Sequence, residues 1–342
     1  MGSSIRVAPF EGSAAEWDAF VRAQRGWTHF HLHGWRDVMH DVLGHDAPYL
    51  AARDEHGTLV GVLPLVRVKS PMFGHFLVSV PFLNYGGPLG SDEGVRALAS
   101  AAVQRADREH VGVLELRSRA PIPVDMPVSH RKITVLMDMT GGPDAVWKRL
   151  DSKVRSQVRR PQKEGITVRT GADQVPAFFE VFARHMRDLG TPTQSRALFE
   201  GIARAFPEDS IFAVAYHEDR PVACGCGFRW ENEFEITWAS ALREYNRMSP
   251  NMLVYWELMR QTADAGVTTF NFGRCTPGGG THKFKRQWGT TDEQLWWYEH
   301  RAPGATTPAE GEGAASLGPR VWRKLPLALA TALGPHIVRF IP

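Results

Sequence analysis

The sequence predicts an α/β protein built from two copies of one unit, a strand hairpin followed by a helix and a strand, and three observations carry that reading. IFAVAYHEDRPVACGCGFRW, from Ile211 to Trp230, has the hairpin pattern of YLAARDEHGTLVGVLPLVRV, from Tyr49 to Val68, with a polar turn at His217 to Arg220 answering one at Asp54 to Gly57. ADREHVGVLELRS (Ala106 to Ser118) and ADAGVTTFNFGRC (Ala263 to Cys275) each read as a helix end, a glycine, a strand and an arginine. At 342 residues the chain suits two domains, each long enough for its own core.

Composition narrows the class. With 43% hydrophobic and 23% charged residues the chain reads as soluble and globular. Its net charge of +3 is small, so polyanion binding must come from local patches. MGSSIRVAPFEGSAAEW has no apolar core of signal-peptide length, and nowhere do enough apolar residues run together to span a bilayer, which makes the cytoplasm the expected location. Cys224 and Cys226 lie in an expected strand and Cys275 follows another; no second CxxC or His spacing completes a zinc site, so reduced thiols and no metal are expected. Cys275 is near enough to the central motif to be weighed as a nucleophile, but no evident base flanks it.

In order, the chain opens with a helix expected around Ala14 to Gln24, then HFHLHGW. His29, His31 and His33 would share one face of a strand, as a metal would need, or the segment starts a helix that carries His33 and Trp35 into the core. The hairpin from Tyr49 has a buried second arm, a short strand precedes the Asn84–Pro88 loop, Ser91 caps a helix reaching about His110, and VGVLELR is a buried strand. KITVLMDM (Lys132 to Met139) is a further strand. Lys148 to Lys163 then reads KRLDSKVRSQVRRPQK, seven basic residues against one Asp. On one helix Arg155 and Arg159 share a face that Lys148 and Ser152 extend, and Pro161 is expected to end it. Such a face either grips phosphates by bidentate guanidinium contacts or is simply solvated.

The stretch with the densest chemistry is FNFGRCTPGGGTHKFKRQWG, Phe270 to Gly289. A buried strand breaks into three consecutive glycines, and Lys283, Lys285 and Arg286 then gather around Phe284 and Trp288. Glycines let a ligand approach the backbone, and lysines beside an aromatic wall supply charge for an anionic or carbonyl-bearing substrate. A surface hairpin with solvated lysines is the plainer alternative.

KVRSQVRRPQKEGITV, MRDLGTPT, WASALREYNRMSPNMLVYW and FNFGRCTPGGGTHKFKRQWG together resemble the FemAB-like acyltransferases, in particular the branch associated with exosortase (PEP-CTERM) exopolysaccharide loci. The resemblance runs from the HGW segment to the GPHIVRFIP end and implies two tandem GNAT-like domains, α/β with mixed central sheets. Related enzymes move aminoacyl groups from aminoacyl-tRNA to peptidoglycan precursors and share an FKxxFG-like motif that Phe284 to Gly289 matches with Trp288 as second aromatic. It implies aminoacyl-tRNA as donor, with acyl-CoA as the alternative and no resident cofactor, and a phosphate-bearing or lipid-linked envelope or exopolysaccharide precursor as acceptor.

Moving an acyl group from an ester or thioester to an amine needs the reactants in register and the oxyanion stabilised; no protein nucleophile is required. Lys285 is the expected charge at that oxyanion. Glu235 in FEITWAS is either a general base or acceptor-binding group, or a strand-face carboxylate in an ion pair. Lys153, Arg155, Arg159, Trp238, Tyr245, Asn246, Asn251, Tyr255, Arg274, Gly280, Thr281, Lys283, Phe284 and Trp288 are the expected substrate-binding residues. Two departures stand out. Arg243 to Asn251, REYNRMSPN, lacks the glycine turn with which a GNAT domain grips the pyrophosphate of CoA, and Asn271 stands where members of the branch have Asp in FDFGR.

The expected domains are residues 1–140, 141–300 with the central motif, a linker at 301–319 and an amphipathic segment at 320–342. The last is too short and too interrupted by Pro326 and Pro335 to cross a bilayer; it either docks on the core or lies on a membrane surface, making the protein peripheral at the inner face. A CoA-dependent N-acyltransferase acting on an amino sugar, and a non-catalytic GNAT scaffold in polysaccharide assembly, are the competing functions.

Overall fold

The structure, a computed structural model, describes residues 5–71, 73–305 and 317–342. The chain divides into two compact units. The first takes residues 1–132, 294–314 and 339–342, and the second 133–293 and 315–338.

The first unit runs β1 (Arg6–Pro9), α1 (Ala14–Ala23), α2 (Gly34–Asp37), β2 (Leu50–Arg53), β3 (Leu59–Leu63), β4 (Val66–Ser70), β5 (Gly74–Val78), β6 (Leu89–Gly90), α3 (Asp92–Arg108), β7 (Val113–Ser118) and β8 (Val128–Ser129). The second runs β9 (Ile133–Asp138), α4 (Gly142–Arg149), α5 (Ser152–Lys163), β10 (Ile166–Thr170), α6 (Val175–Leu189), α7 (Arg196–Ala205), β11 (Ser210–His217), β12 (Arg220–Trp230), β13 (Glu233–Ala241), α8 (Pro250–Asp264), β14 (Thr269–Cys275), α9 (Gly280–Arg286) and β15 (Thr291–Gln294). After these come β16 (Trp296–Arg301), α10 (Leu317–Trp322) and α11 (Leu327–Val338).

In the first unit the sheets are ordered β1-β2-β3-β6 and β4-β5-β7-β16-β8. The arm expected to be one buried strand is divided: Pro64 has no N–H for a ladder, and β3 and β4 fall in different sheets on either side of it. Ser91 caps α3 by accepting from the Gly94 amide at 3.1 Å, and Leu98, Ala102 and Ala106, one turn apart, bury against Leu50, Leu63, Leu114 and Leu116. His29 and His31 are core residues in a short 3-10 turn, not a strand face. Nδ1 of His31 accepts from the Thr28 amide at 3.0 Å, and Nε2 then donates to the Gly87 carbonyl at 3.1 Å. Burial pushes His31 down to about 4 and His29 down to about 3, so both are neutral in the fold.

The second unit holds one seven-stranded sheet, β10-β11-β12-β13-β14-β9-β15. The repeat read from the letters is real in the ladders: β5 and β7 pair in parallel through Phe76–Val78 and Val113–Glu115, and β13 and β14 through Glu233–Glu235 and Thr269–Asn271. The domain limits expected at 140 and 300 differ from the observed ones. β9 lies antiparallel to β14, with Ile133 opposite Cys275 and Asp138 opposite Thr269, and so belongs to the second unit. β16 lies along β7, Trp296 opposite Ser118 and Arg301 opposite Val113, and so belongs to the first. Of the expected linker, residues 306–316 lie outside the described residues. Within the second unit α11 docks on α6 and on the loop after it: a Cβ on Gly334 would meet the backbone nitrogen of Thr193 in that loop at 2.8 Å, so the contact needs glycine.

Candidate active site in the second unit

The site is built where β13 and β14 part. After Glu235 and Asn271, β13 continues along β12 to Ala241 while β14 continues along β9 to Cys275. At the parting point β14 bulges, setting Phe272 and Gly273 against Val135 alone, with Gly273 at φ +70°. In the first unit the matching place is taken by the chain itself. The amides of Ser79 and Gly86 donate to the Glu115 and Arg117 carbonyls, both at 3.0 Å, and Tyr85 is fully buried.

Into the bulge of the second unit comes Lys285, buried, with its ammonium donating to the carbonyls of Gly273 at 2.6 Å and Arg274 at 3.0 Å. Burial pulls Lys285 down to about 8; nearby Cys275 and Glu235 oppose that shift, and Arg274 adds to it. Two of its three donors are spent on the bulge, which leaves one for a ligand. The glycine run starts a helix here, with Gly279 as its N-cap. As a result Phe284, Lys285 and Trp288 turn inward while Lys283 and Thr281 stay exposed. Phe284 meets Tyr255 edge-on at 5.2 Å and Trp288 lies 5.9 Å from Phe272, an aromatic wall behind the lysine.

Glu235 is fully buried at the parting point, with the Thr237 hydroxyl 3.5 Å from Oε1. Asn271, opposite it, is a structural residue: Nδ2 donates to Glu233 at 2.8 Å, and Oδ1 accepts from the Thr134 hydroxyl at 2.6 Å and the Gly273 amide at 2.8 Å. One pair went unread in the sequence. His282 Nδ1 accepts from the Gly278 amide at 2.9 Å, and Nε2 donates to Asp292 at 3.0 Å, which ties the glycine loop to β15. No local spacing signals a partner ten residues away.

The remaining expected residues divide. Asn251 lies half-buried in the first turn of α8, behind Ser249 at φ +57°, and Gln287 of the α9 end reaches Met252 Sδ at 3.8 Å, so that turn adjoins α9. Tyr245 and Asn246 sit in the preceding 3-10 turn, where Tyr245 is occupied by Arg220, its hydroxyl accepting at 3.4 Å. Trp238 packs edge-on against Phe199 and Phe228, at 5.4 and 6.1 Å, in a different aromatic cluster from the one behind Lys285. Cys275 is buried, as are Cys224 and Cys226.

The basic stretch forms two helices instead of one. Asp151 takes the cap position, accepting from the Lys153 amide at 2.7 Å, so Lys148 lies in the last turn of α4 and does not extend the α5 face. Pro161 does not end α5 either: it is buried in the last turn with Val154 and Val158, where the missing N–H costs one bond at a helix end. The outer face carries an open depression of about 330 Å3 lined by Ser152, Arg155, Ser156, Arg159, Arg160, Lys163 and one carboxylate, Glu164. Arg159 stacks over Trp147 at 5.2 Å, and Arg155 donates to the Lys148 carbonyl at 3.2 Å, so both guanidiniums are positioned before any ligand arrives. Lys153 is exposed and does not line it.

Residues 148–286 match the acetyltransferase (GNAT) domain family. No curated protein matches the sequence significantly. Among solved structures the chain is similar to FemX, with 15% identity, a TM-score of 0.62, and 86% of this chain and 97% of that one covered. It is similar to the C-terminal domain of a protein named as a lysylphosphatidylglycerol synthetase from Agrobacterium fabrum, with 15% identity, a TM-score of 0.54 and coverage of 85% and 93%. It is also similar to a tandem GNAT protein from the clavulanic acid biosynthesis pathway, with 12% identity, a TM-score of 0.52 and coverage of 87% and 98%. The chain is thus similar in fold to FemX and to a tandem GNAT protein over most of its length, and its residues 148–286 match the acetyltransferase (GNAT) domain family.

Proposed function

We propose that the second unit transfers an aminoacyl or acyl group, most simply from aminoacyl-tRNA, to an amine of a cell-envelope precursor carrying phosphate or lipid. The observation that carries the reading is the buried ammonium of Lys285 at the point where β13 and β14 part. The acceptor amine attacks the donor carbonyl, and the carbonyl electrons move to oxygen; the third N–H of Lys285 stabilises that oxyanion in a dry setting. Glu235 takes the proton from the attacking nitrogen. Collapse reforms the carbonyl, makes the amide and expels the donor's oxygen or sulfur, which leaves with the proton that Glu235 took up. Arg155 and Arg159 hold a phosphate of one substrate, and acceptors of this class place the protein at the inner face of the membrane.

The likeness to FemX and to a lysylphosphatidylglycerol synthetase domain supports the envelope assignment. One observation favours a second reading, transfer from acyl-CoA to an amino sugar: the matched family is described as acetyltransferase. Against it, the turn before α8 has no glycine to cradle a pyrophosphate. Calorimetry with acetyl-CoA, beside turnover with labelled aminoacyl-tRNA and a lipid-extract acceptor pool, decides between them. Micromolar acetyl-CoA binding displaced by CoA would replace the first reading by the second; label transfer from neither donor would sink both.

A further inference from the structure

The second unit turns an apolar face outward at its C-terminal helices. Leu189, Val321, Leu329 and Leu333 are 40%, 60%, 51% and 48% exposed; among the described residues Val128 of the first unit is the one other large hydrophobic side chain so open. On α11 the pattern is the reverse of an ordinary surface helix. Ala330 and Gly334 face the protein, while Ala328, Leu329, Ala332 and Leu333 form the outer stripe. Leu189 joins the same region, because Arg323 of the turn after α10 donates to its carbonyl at 3.0 Å and Arg187 beside it donates to the Leu325 carbonyl at 3.1 Å.

The charge that the C-terminal segment brings to this face has one sign, and the nearby Asp188 is paired with Arg187 at 2.6 Å. From Leu317 to the end the sequence contains no Asp or Glu, and Arg320, Arg323 and Lys324 flank Val321 as exposed residues. A protein partner would meet this face with acidic side chains placed singly. A bilayer with anionic headgroups supplies both things the face lacks at once, a hydrocarbon boundary for Val321, Leu329 and Leu333 and a continuous negative layer for the three basic side chains. No helix among the described residues is long and apolar enough to cross a membrane, so the contact is interfacial.

We infer that α10 and α11 form a docking surface for an anionic phospholipid bilayer, with the apolar stripe of α11 set into the headgroup region and Arg320, Arg323 and Lys324 on the lipid phosphates. The inference is independent of the chemistry proposed for Lys285.

Flotation of the full chain with phosphatidylcholine vesicles, alone or with about 30 mol% phosphatidylglycerol, tests it. The expected result is co-flotation with the anionic vesicles that weakens at about 0.5 M salt. Leu329→Asp with Leu333→Asp, and separately Arg320→Glu with Lys324→Glu, are expected to reduce it by about tenfold or more. Val128→Asp should leave it unchanged. All these positions are exposed, so the variants keep the fold. Absence of flotation, or equal flotation of the leucine variant, overturns the inference. So does a concentration-dependent dimer that the leucine variant abolishes without any vesicle binding, which would assign the face to a second copy of the chain.

Discussion

Lys285 holds the carbonyl of Gly273 at 2.6 Å, so the group that presents charge to the site also satisfies the bulge that opens it. Its two roles respond to pH in opposite directions. The ammonium titrates near 8 in the fold and near 10.5 in an unfolded chain, so between those values the unfolded state binds more protons and folding becomes more favourable as pH rises. The stability of the wild type relative to Lys285→Met should therefore climb above pH 8, by at most about 1.4 kcal/mol per pH unit. Turnover should fall over the same range as the charge is lost. Denaturant melts and rates across alkaline pH check both, and a flat stability difference would show that Lys285 titrates normally.

At neutral pH, Lys285→Met should lower turnover about a hundredfold or more, the scale of losing one oxyanion donor. Lys283→Met, two residues earlier on α9 but exposed, should be near neutral. Arg at 285 should rescue poorly, since a planar fork cannot take the place of a point charge in the bulge. Near wild-type turnover of Lys285→Met, with aminoacyl-tRNA or acetyl-CoA as donor, would make the stretch a binding loop.

Asn271 is held as an amide by its own hydrogen bonds. An Asp there would set a second carboxylate against Glu233, whose oxygen now accepts from Asn271 Nδ2. Asn271→Asp should destabilise the second unit by roughly 2–4 kcal/mol at pH 8. The repelled carboxyl pair would bind a proton more tightly folded than unfolded, so the loss should shrink as pH falls toward 5. Urea melts at the two pH values measure it; an equal loss at both would mean that the Asp escapes Glu233.

Much of this was readable in the letters, for identifiable reasons. The repeat shows because each copy needs the same helix-to-strand turn before its parallel strand, and Ser91 and α3 follow from capping and period alone. The exchange of β9 and β16 between units was not readable, since adjacency in sequence says nothing of which edge a strand joins. Nor was the inward turn of Lys285 in preference to Lys283; that depends on three glycines starting a helix where they also suit a loop. The break at Asp151 was legible in principle as a cap, but the unbroken run of basic residues masked it.

His29 and His31 make the first unit acid-labile. Both are held neutral, at about 3 and about 4, against 6.5 for an ordinary histidine, so the unfolded chain binds more protons as pH falls below 6.5. Stability should drop by up to about 1.4 kcal/mol per pH unit for each, down to about 4 for His31 and further for His29. Hydrogen exchange at Thr28 to Trp35 should quicken from pH 7 to 5 beyond the intrinsic chemical rate. Unchanged protection there would refute the burial argument.

The basic depression on α5 carries the last prediction. Four of its lining side chains are cationic against one carboxylate, Glu164, and Arg159 is held over Trp147 while Arg155 is held by the Lys148 carbonyl. Preorganised guanidiniums lose little freedom on binding, so each should contribute a charge-assisted bond to a phosphate group. Arg155→Ala and Arg159→Ala should each weaken binding of tRNA or of a nucleotide-linked precursor by roughly five- to a hundredfold, and added salt should weaken the wild type. Arg159→Lys separates stacking from charge: a lysine keeps the charge but loses the planar stack and the fork, and should recover only part of the affinity. Lys153→Ala, outside the depression, should do little. Identical affinities for all four variants and the wild type across a salt series would make this face a solvated surface and move the phosphate contact elsewhere, with the turn before α8 the next place to look.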